Sequence, residues 1–268
     1  MSPTSASHRR THNLLLISKL LSLRDSTSPL TLLLDSLEQP ATPLIKEYIR
    51  RAKLSKVHVI FVSFETLTRP DGIDTFILAR RKSLADIATE VVSAASSPLL
   101  PYPSAATASN KSLVIIDSVN PMIDRKSNAN NEVNLAAYLS SLLGPPPTSP
   151  QSHTSTSLIV VYHQDIPACL QKQTYKPTPL SLLTYLATTI FTVHSMSHIL
   201  AEKAARHRSL MAPVFGLAEE ADGVIIGRRI EHGKSTDDDD LNGVVIEMEH
   251  RRKSGRGVVE WYFLPPAV

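Results

Sequence analysis

Glycine is scarce in this sequence, and its placement argues against one class of site. The chain has 9 glycines among 268 residues, and none precedes Gly72. A phosphate-binding loop needs glycine just after the first strand, because its backbone N–H groups must approach phosphate without a Cβ in the way. Residues 35–43 (DSLEQPATP) follow the first predicted strand and contain no glycine. They also put Asp35 and Glu38 where a phosphate would bind, so the sequence predicts no Walker A loop.

Cysteine and long apolar runs are almost absent as well. The one cysteine, Cys169, rules out an internal disulfide and a cysteine-based zinc site, and we interpret it as a small apolar residue of a protein from a reducing compartment. No run of about 18 apolar residues occurs, so no membrane span is expected. Residues 1–10 are polar and lack the order of a signal peptide, and we expect them to form a disordered tail. The remainder, 11–268, is expected to be one domain, soluble and intracellular.

Charge of either sign is only weakly in excess, at 28 basic against 25 acidic residues. A net charge of +3 does not establish a nucleic-acid partner, and only local clusters could do so. The first cluster, Arg80, Arg81 and Lys82, precedes a predicted helix, where the helix dipole does not favour cations. The second cluster forms the turn of the last predicted hairpin, where it could hold a phosphate backbone or simply be solvated. Its members are Arg251, Arg252, Lys253 and Arg256.

Buried strands alternate with helices along most of the chain. Apolar runs such as 30–35 (LTLLLD), typical of strands buried on both faces, are separated by amphipathic segments. This alternation predicts an α/β fold with a mostly parallel sheet covered on both faces. The predicted strands are 30–35, 57–64, 113–117, 157–162 and 190–193, and the predicted helices are 12–23, 83–93, 132–143, 180–188 and one that starts with Thr42 as N-cap and Pro43 as its first residue.

The last part of the chain has a different pattern. Residues 224–231, 244–250 and 258–263 alternate in polarity and are joined by short turns, which predicts a C-terminal antiparallel meander. Three further segments, 96–111, 144–156 and 232–242, are expected to be loops, the first two rich in Pro and Ser and the third carrying Asp237–Asp240.

Two acidic residues stand where a RecA-like ATPase would need them. Asp117 ends the strand 113–117 (LVIID) in the manner of a Walker B motif, and Glu65 follows a buried strand where such enzymes place the carboxylate that activates water. Because no phosphate loop accompanies them, we interpret both as vestigial rather than catalytic. The tripeptide Gly233-Lys234-Ser235 lies between meander strands and is interpreted as a polar loop. His194 and His198 are four residues apart but flank a strand end, so no metal or other cofactor is expected.

Several segments read together resemble the fifth-subunit family of the Elongator complex, which modifies the wobble uridine (U34) of tRNA. They are residues 14–66, 112–121 (SLVIIDSVNP) and 251–264 (RRKSGRGVVEWYFL), which bracket nearly the whole chain. The resemblance implies a RecA-like, non-catalytic subunit of the cytoplasm and nucleus. It also implies that the subunit joins the fourth and sixth Elongator subunits in a hetero-hexameric ring, which binds tRNA and docks onto the larger catalytic subunits.

A ring subunit needs surfaces for two neighbours, and aromatic anchors are favoured at the centre of such interfaces. Two alternatives remain open: an active RecA-type ATPase with an atypical nucleotide loop, and a stand-alone RNA-binding protein. The candidate interface residues are Trp261 and Tyr262 of the last strand and Leu15, Leu16 and Leu20 of the first helix.

Overall fold

A computed structural model describes most of the chain in one α/β arrangement. The described residues are 3–23, 28–96, 111–123, 126–127, 131–132, 134–143, 155–166, 177–196, 198–200, 244–251 and 257–264. Sequence predictions for the strand 224–231, the loop 232–242, Gly233-Lys234-Ser235 and Cys169 lie outside them, as do those for most of the loops 96–111 and 144–156.

The helices and strands follow the predicted alternation. In chain order they are α1 (Pro3–Leu21), β1 (Leu30–Asp35), α2 (Thr42–Leu54), β2 (His58–Ser63), β3 (Thr75–Leu78), α3 (Leu84–Ser96), β4 (Lys111–Ile116), α4 (Asn120–Ile123), β5 (Lys126–Ser127), β6 (Asn131–Glu132), α5 (Leu135–Leu142), β7 (Ser155–His163), α6 (Pro179–Leu186), β8 (Thr189–Ser195), β9 (Val244–Arg251) and β10 (Gly257–Leu264). None of the helices in the described part of the chain is long and apolar enough to cross a membrane.

Eight of these strands form one sheet in the order β10-β9-β8-β1-β7-β4-β2-β3. The pairings from β8 to β3 are parallel, whereas β9 pairs antiparallel with both β8 and β10. The fold class predicted from the sequence, a mostly parallel sheet flanked by helices with antiparallel C-terminal strands, is confirmed. β10 and β3 are the two edge strands of this sheet.

Apolar residues on both faces of the sheet explain the uninterrupted strand sequences. On one face, alternate residues of the strands such as Leu32 and Val160 pack under α3, α5 and α6. On the other face, Leu33 and Ile159 pack under α1 and α2. Because each central strand is covered twice, every residue of β1 is buried, which is why this strand has no polar alternation.

Several local features differ from the sequence expectations, among them Glu132, which lies in β6 rather than in the helix predicted at 132–143. The first helix starts at Pro3, within the segment expected to be a tail. The N-cap of α2 is Ala41, without a side-chain cap, so Thr42 is the first helical residue rather than the cap. The strand β3 was not predicted, since its four residues lack a distinctive pattern and gain their order from parallel pairing with β2.

The link between β2 and β3 uses Gly72 at a φ of 82°, where a Cβ would lie 2.9 Å from Ile49 Cγ2.

Candidate functional site at the carboxyl end of the parallel strands

The carboxyl ends of four neighbouring strands bring polar residues together. Asp35 ends β1, Ser63 ends β2, Asp117 follows β4 and His163 ends β7. In open parallel sheets this edge is where nucleotides and other ligands bind. The contacts of these four side chains therefore show whether they are available to a ligand.

Asp117 is committed to the loop after β2. Its carboxylate accepts hydrogen bonds from the backbone N–H groups of Phe64, Glu65 and Thr66, at 2.7, 3.1 and 2.8 Å, and the Ser63 hydroxyl lies 3.2 Å away. The side chain is buried. A carboxylate that receives this many donors is held as part of the fold, so the residue at the Walker B position stabilises a loop here.

The backbone N–H groups of the loop after β1 donate to acceptors within the chain. The N–H of Ser36 donates to the Gln39 carbonyl at 3.3 Å, that of Gln39 to the Ser36 hydroxyl at 3.2 Å, and that of Ala41 to Asp35 at 2.8 Å. The N–H of Leu37 donates to the Asp165 carboxylate. A phosphate needs several such N–H groups converging on one point. In this loop those groups are turned to internal acceptors.

An Asp–His pair occupies the centre of the site. Oδ1 of the buried Asp35 lies 2.6 Å from Nδ1 of His163, and the opposite ring nitrogen of His163 lies 3.3 Å from a Glu65 carboxylate oxygen. The hydrogen bond that His163 donates to the Asp35 carboxylate raises the pKa of His163 above its ordinary value. Burial opposes this rise, and the charges of Asp35, Glu65 and Asp117 add to it. The pair links the ends of β1 and β7, and Glu65 connects it to the loop after β2.

Asn120 fixes the backbone beside this pair. Its side-chain amide donates to the His163 carbonyl at 2.9 Å and accepts from the His163 N–H at 2.9 Å, so it imitates a paired strand. Neither His163 nor Asn120 was singled out in the sequence. The available signal was the polar residue that directly follows each buried strand, since His163 follows 158–162 (LIVVY) as Asp117 follows 113–116.

The two histidines with possible metal-ligand spacing have separate roles. The ring of His194 stacks on Trp261 with centroids 5.1 Å apart, whereas His198 lies 2.9 Å from Glu38. Within the described ranges, no group of His, Cys, Asp and Glu residues could hold a metal ion.

The structure places the two predicted basic clusters at different corners of the sheet. Arg80 and Arg81 are exposed in the turn at the carboxyl end of edge strand β3, and Lys82 pairs with Glu90 at 2.6 Å. Arg251 ends β9 beside the start of β8, where it contacts Glu249 at 3.0 Å and the Thr184 carbonyl. With strand spacings of about 4.8 Å, β9 and β3 are about 30 Å apart across the sheet. The two clusters also lie at opposite ends of their strands, which adds to this separation. Of the second cluster, Arg252, Lys253 and Arg256 lie outside the described residues.

The candidate interface residues divide between surface and core. Trp261 is 53% exposed and shares its face of β10 with exposed Val259 and Phe263, while the Tyr262 hydroxyl on the other face donates to the Asn13 carbonyl at 3.0 Å. In α1, Leu15 is exposed, Leu16 is half-buried and Leu20 is buried in the core of the chain. The exposed members are therefore Trp261 and Leu15.

A known protein family matches nearly the whole of this chain. The model of the family described as "Elongator subunit Iki1" matches residues 16–268. The chain belongs to this family. The resemblance noted from the sequence alone is confirmed, and it extends from the last residues of α1 to β10.

Two curated relatives are named Elongator complex protein 5. The one from Schizosaccharomyces pombe is 27% identical over 87% of this chain and 65% of its own length. The one from Saccharomyces cerevisiae is 28% identical over 67% of this chain and 53% of its own length. The chain thus spans between half and two thirds of the length of these relatives.

Solved structures with remote likeness include a replicative helicase and a recombinase. A DnaB-like replicative helicase matches with a TM-score of 0.45 and 11% identity, over 90% of this chain and 57% of that chain. The RadB recombinase matches with a TM-score of 0.40 and 17% identity, over 88% of this chain and 87% of that chain. Both scores lie below 0.5.

Proposed function

We propose that the chain is a non-catalytic, RecA-like subunit of the Elongator complex. In this proposal it assembles with the fourth and sixth subunits into a hetero-hexameric ring that binds tRNA, docks onto the larger catalytic subunits and supports modification of the wobble uridine, in cytoplasm and nucleus. Membership of the family of Elongator subunits supports the assembly role.

One observation carries the non-catalytic part of the proposal. At the end of the sheet where an ATPase would bind nucleotide, the backbone N–H groups of Ser36, Leu37, Gln39 and Ala41 donate to other groups of the chain. The carboxylates of Asp35 and Asp117 are engaged with other groups of the chain as well. Opening this network to admit a triphosphate would take backbone donors away from the buried carboxylates of Asp35 and Asp117, at about 1–3 kcal/mol for each buried group left unpaired. The acidic side chains there would also repel phosphate.

Assembly and turnover test the proposal together. The full chain is purified alone and co-expressed with the fourth and sixth subunits, and mass by light scattering and ATP hydrolysis are measured for both samples. We expect the chain to enter a six-membered assembly and the lone chain to hydrolyse no ATP. Turnover by the lone chain that Glu65→Gln abolishes would instead establish the ATPase alternative. A lone monomer that binds tRNA tightly and ignores both subunits would establish the stand-alone RNA binder.

The tRNA part of the proposal is tested at the two basic clusters. Arg80→Glu with Arg81→Glu is one variant, and Arg252, Lys253 and Arg256 changed to Glu is the other. Arg50→Glu with Lys46→Glu, on exposed positions of α2, is the matched control. Arg251 is left unchanged because its guanidinium connects the end of β9 to the end of α6 and also pairs with Glu249 of its own strand. We expect one or both cluster variants to bind tRNA about tenfold more weakly in the assembled ring, with a shallower salt dependence. Equal binding by all variants removes tRNA contact from these residues.

A further inference from the structure

Tyr185 is the most exposed aromatic residue in the described part of the chain. It is 81% exposed in the last turn of α6, compared with 53% for Trp261 and 47% for Phe263. Trp261 stacks on His194, whereas no ring within the described ranges stacks on Tyr185. An exposed aromatic residue is not a site by itself, so the groups around it decide what it can bind.

The guanidinium of Arg251 is held beside Tyr185. Its Nη1 donates to the backbone carbonyls of Thr184 and Tyr185, the latter at 3.4 Å, and its Nε donates to Glu249 at 3.0 Å. These bonds place a cation at the carboxyl end of α6, where the helix dipole favours it. Nη2 has no acceptor among the described residues, so two N–H groups remain for another molecule. An arginine fixed in this way loses little conformational freedom when it donates to a phosphate.

The charges near Tyr185 favour an anionic partner. α6 carries no charged residue, and Ser181 lies one turn before Tyr185 on its exposed face. The acid that Arg251 contacts, Glu249, is already paired with it. The sequence directly after Arg251 is RKSGR, residues 252–256, which adds three cations and no acid.

Other charged residues of the sheet and its helices lie apart from Tyr185. Arg80 and Arg81 are at the carboxyl end of the parallel strands, whereas Tyr185 lies just before the start of β8. The cations in the last turn of α2 are on the opposite face of the sheet from α6. They are paired there, Arg51 with Glu47 and Lys53 with Asp74. The group on the α6 face is therefore an open aromatic ring beside a fixed cation.

An aromatic ring beside a fixed guanidinium matches the two parts of a nucleotide. The ring can stack on a base, and guanidinium N–H groups can donate to a phosphate. Bases inside a duplex already stack on one another, so their faces are closed to a side chain, whereas unpaired bases in loops and at ends are open. Tyr185 and Arg251 therefore favour unpaired nucleotides over paired stems.

We propose that Tyr185 and Arg251 form a subsite for one unpaired RNA nucleotide, in which the Tyr185 ring stacks on the base and Arg251 Nη2 donates to the phosphate. This inference rests on the proposed function, because binding of tRNA by the assembled subunits is part of that proposal. It adds a contact with a base to the contacts of the basic clusters, which are with the phosphate backbone. Arg251 then has two roles, since it also holds the end of α6 to β9.

Variants of Tyr185 in the assembled subunits test this subsite. Tyr185→Leu removes the aromatic ring, and Tyr185→Trp retains one. The control is Leu37→Ala, at an apolar residue that is 91% exposed and follows β1 at the other end of the sheet. Two RNA probes are compared, a hairpin with an unpaired loop and a blunt duplex of equal length. Affinities are measured by fluorescence anisotropy over a range of salt concentrations.

We expect Tyr185→Leu to bind the hairpin about tenfold more weakly and the duplex within about twofold of the unchanged assembly. Tyr185→Trp and Leu37→Ala should bind both probes within about twofold. Because stacking releases no counterions, the salt dependence should be the same in Tyr185→Leu as in the unchanged assembly. Arg251→Gln should instead lower the slope of log affinity against log salt by about one for the hairpin. If Arg251→Gln lowers the thermal midpoint of the chain, the Tyr185 variants alone decide.

Equal hairpin binding by Tyr185→Leu and the unchanged assembly overturns the inference and leaves tRNA binding intact. Equal losses for the hairpin and the duplex also overturn it, because the contact would then not be with an unpaired base. Loss of assembly in Tyr185→Leu overturns it as well, since Tyr185 would then contact a protein. Failure of the unchanged assembly to bind either RNA overturns the tRNA part of the proposed function and this inference with it.

Discussion

Polar side chains at the carboxyl end of the parallel strands are paired within the chain, whereas apolar side chains on one face of β10 are exposed. At the strand ends, Asp35, Asp117 and His163 pair with one another and with backbone groups of the chain. On β10, Val259, Trp261 and Phe263 lie exposed along the sheet edge. The comparison shows that polar groups at the carboxyl ends of the parallel strands are structural in this chain, while the exposed side chains of the edge strand β10 are apolar.

The largest expected effect comes from Asp117. Asp117→Ala removes the acceptor for three backbone N–H groups beneath the β2 loop, and we expect the free energy of unfolding to fall by about 3 kcal/mol or more. Urea unfolding of the full chain measures this. Asp86→Ala, an exposed carboxylate in the first turn of α3, is the control and should cost less than about 1 kcal/mol. Equal losses for the two would show that the strand-end network is not structural.

Asn120 should have the next largest effect. Asn120→Ala leaves the His163 N–H and carbonyl without partners in a part-buried position, so we expect a loss of about 2 kcal/mol. Asn134→Ala is the matched amide change, because Asn134 only caps α5 through one bond to Ala137 and is exposed, and it should cost about 1 kcal/mol. Chemical denaturation of both variants checks the order, and the reverse order would contradict the role assigned to Asn120.

A smaller effect concerns pH. The pKa of His163 is raised in the folded chain by its hydrogen bond to Asp35. Its protonated form therefore stabilises the fold fully below the ordinary histidine pKa of about 6.5, and this contribution is lost as pH rises through the folded value. We expect the free energy of unfolding at pH 5.5, relative to that at pH 8.5, to be lower in His163→Gln than in the unchanged chain.

His58 provides the contrast for this test. Burial lowers the pKa of His58, against the opposing charge of Asp74, so its contribution has the opposite sign and is lost as pH falls through the ordinary histidine range. His58→Gln should therefore improve stability at pH 5.5 relative to pH 8.5. If the two variants change the pH dependence in the same direction, the assignment to His163 is wrong.

The smallest effect on the lone chain is expected on β10. Trp261→Ser removes an exposed side chain that stacks on His194, and we expect the unfolding free energy to change by less than about 1 kcal/mol. The same variant should weaken assembly with the fourth and sixth subunits at least tenfold if the exposed side chains of Val259, Trp261 and Phe263 form an interface. Tyr185→Ser, an exposed aromatic on α6, is the control, and equal assembly of the two variants would remove Trp261 from the contact.

The sequence predicted the central strands well because burial on both faces leaves a strong pattern. The bounds of β1 matched at both ends, Leu30 and Asp35, since every position between them is apolar or small enough to be buried. β3 was missed because its order comes from pairing with β2, which no local pattern records.

The candidate site was predicted only in part. Asp117 and Glu65 were singled out by position, but their contacts depend on the pairing of β2 with β4, so a structural role could not be separated from a vestigial one. His163 comes next to Asp35 only because β7 lies beside β1, at 128 residues' separation along the chain. Likewise, alternation divided β10 into two faces without indicating that the Trp261 face is exposed.

The pairing of β8 with β9 has a consequence for how this chain tolerates change. Ser195 and Val244 are register partners, so the two ends of the segment that connects β8 to β9 lie side by side in the sheet. Doubling the length of a flexible connection between neighbouring ends costs only about 0.6 kcal/mol of closure entropy. Insertions, tags or a fused reporter placed between these two residues should thus leave the sheet register intact, which makes this junction a practical point for labelling the protein.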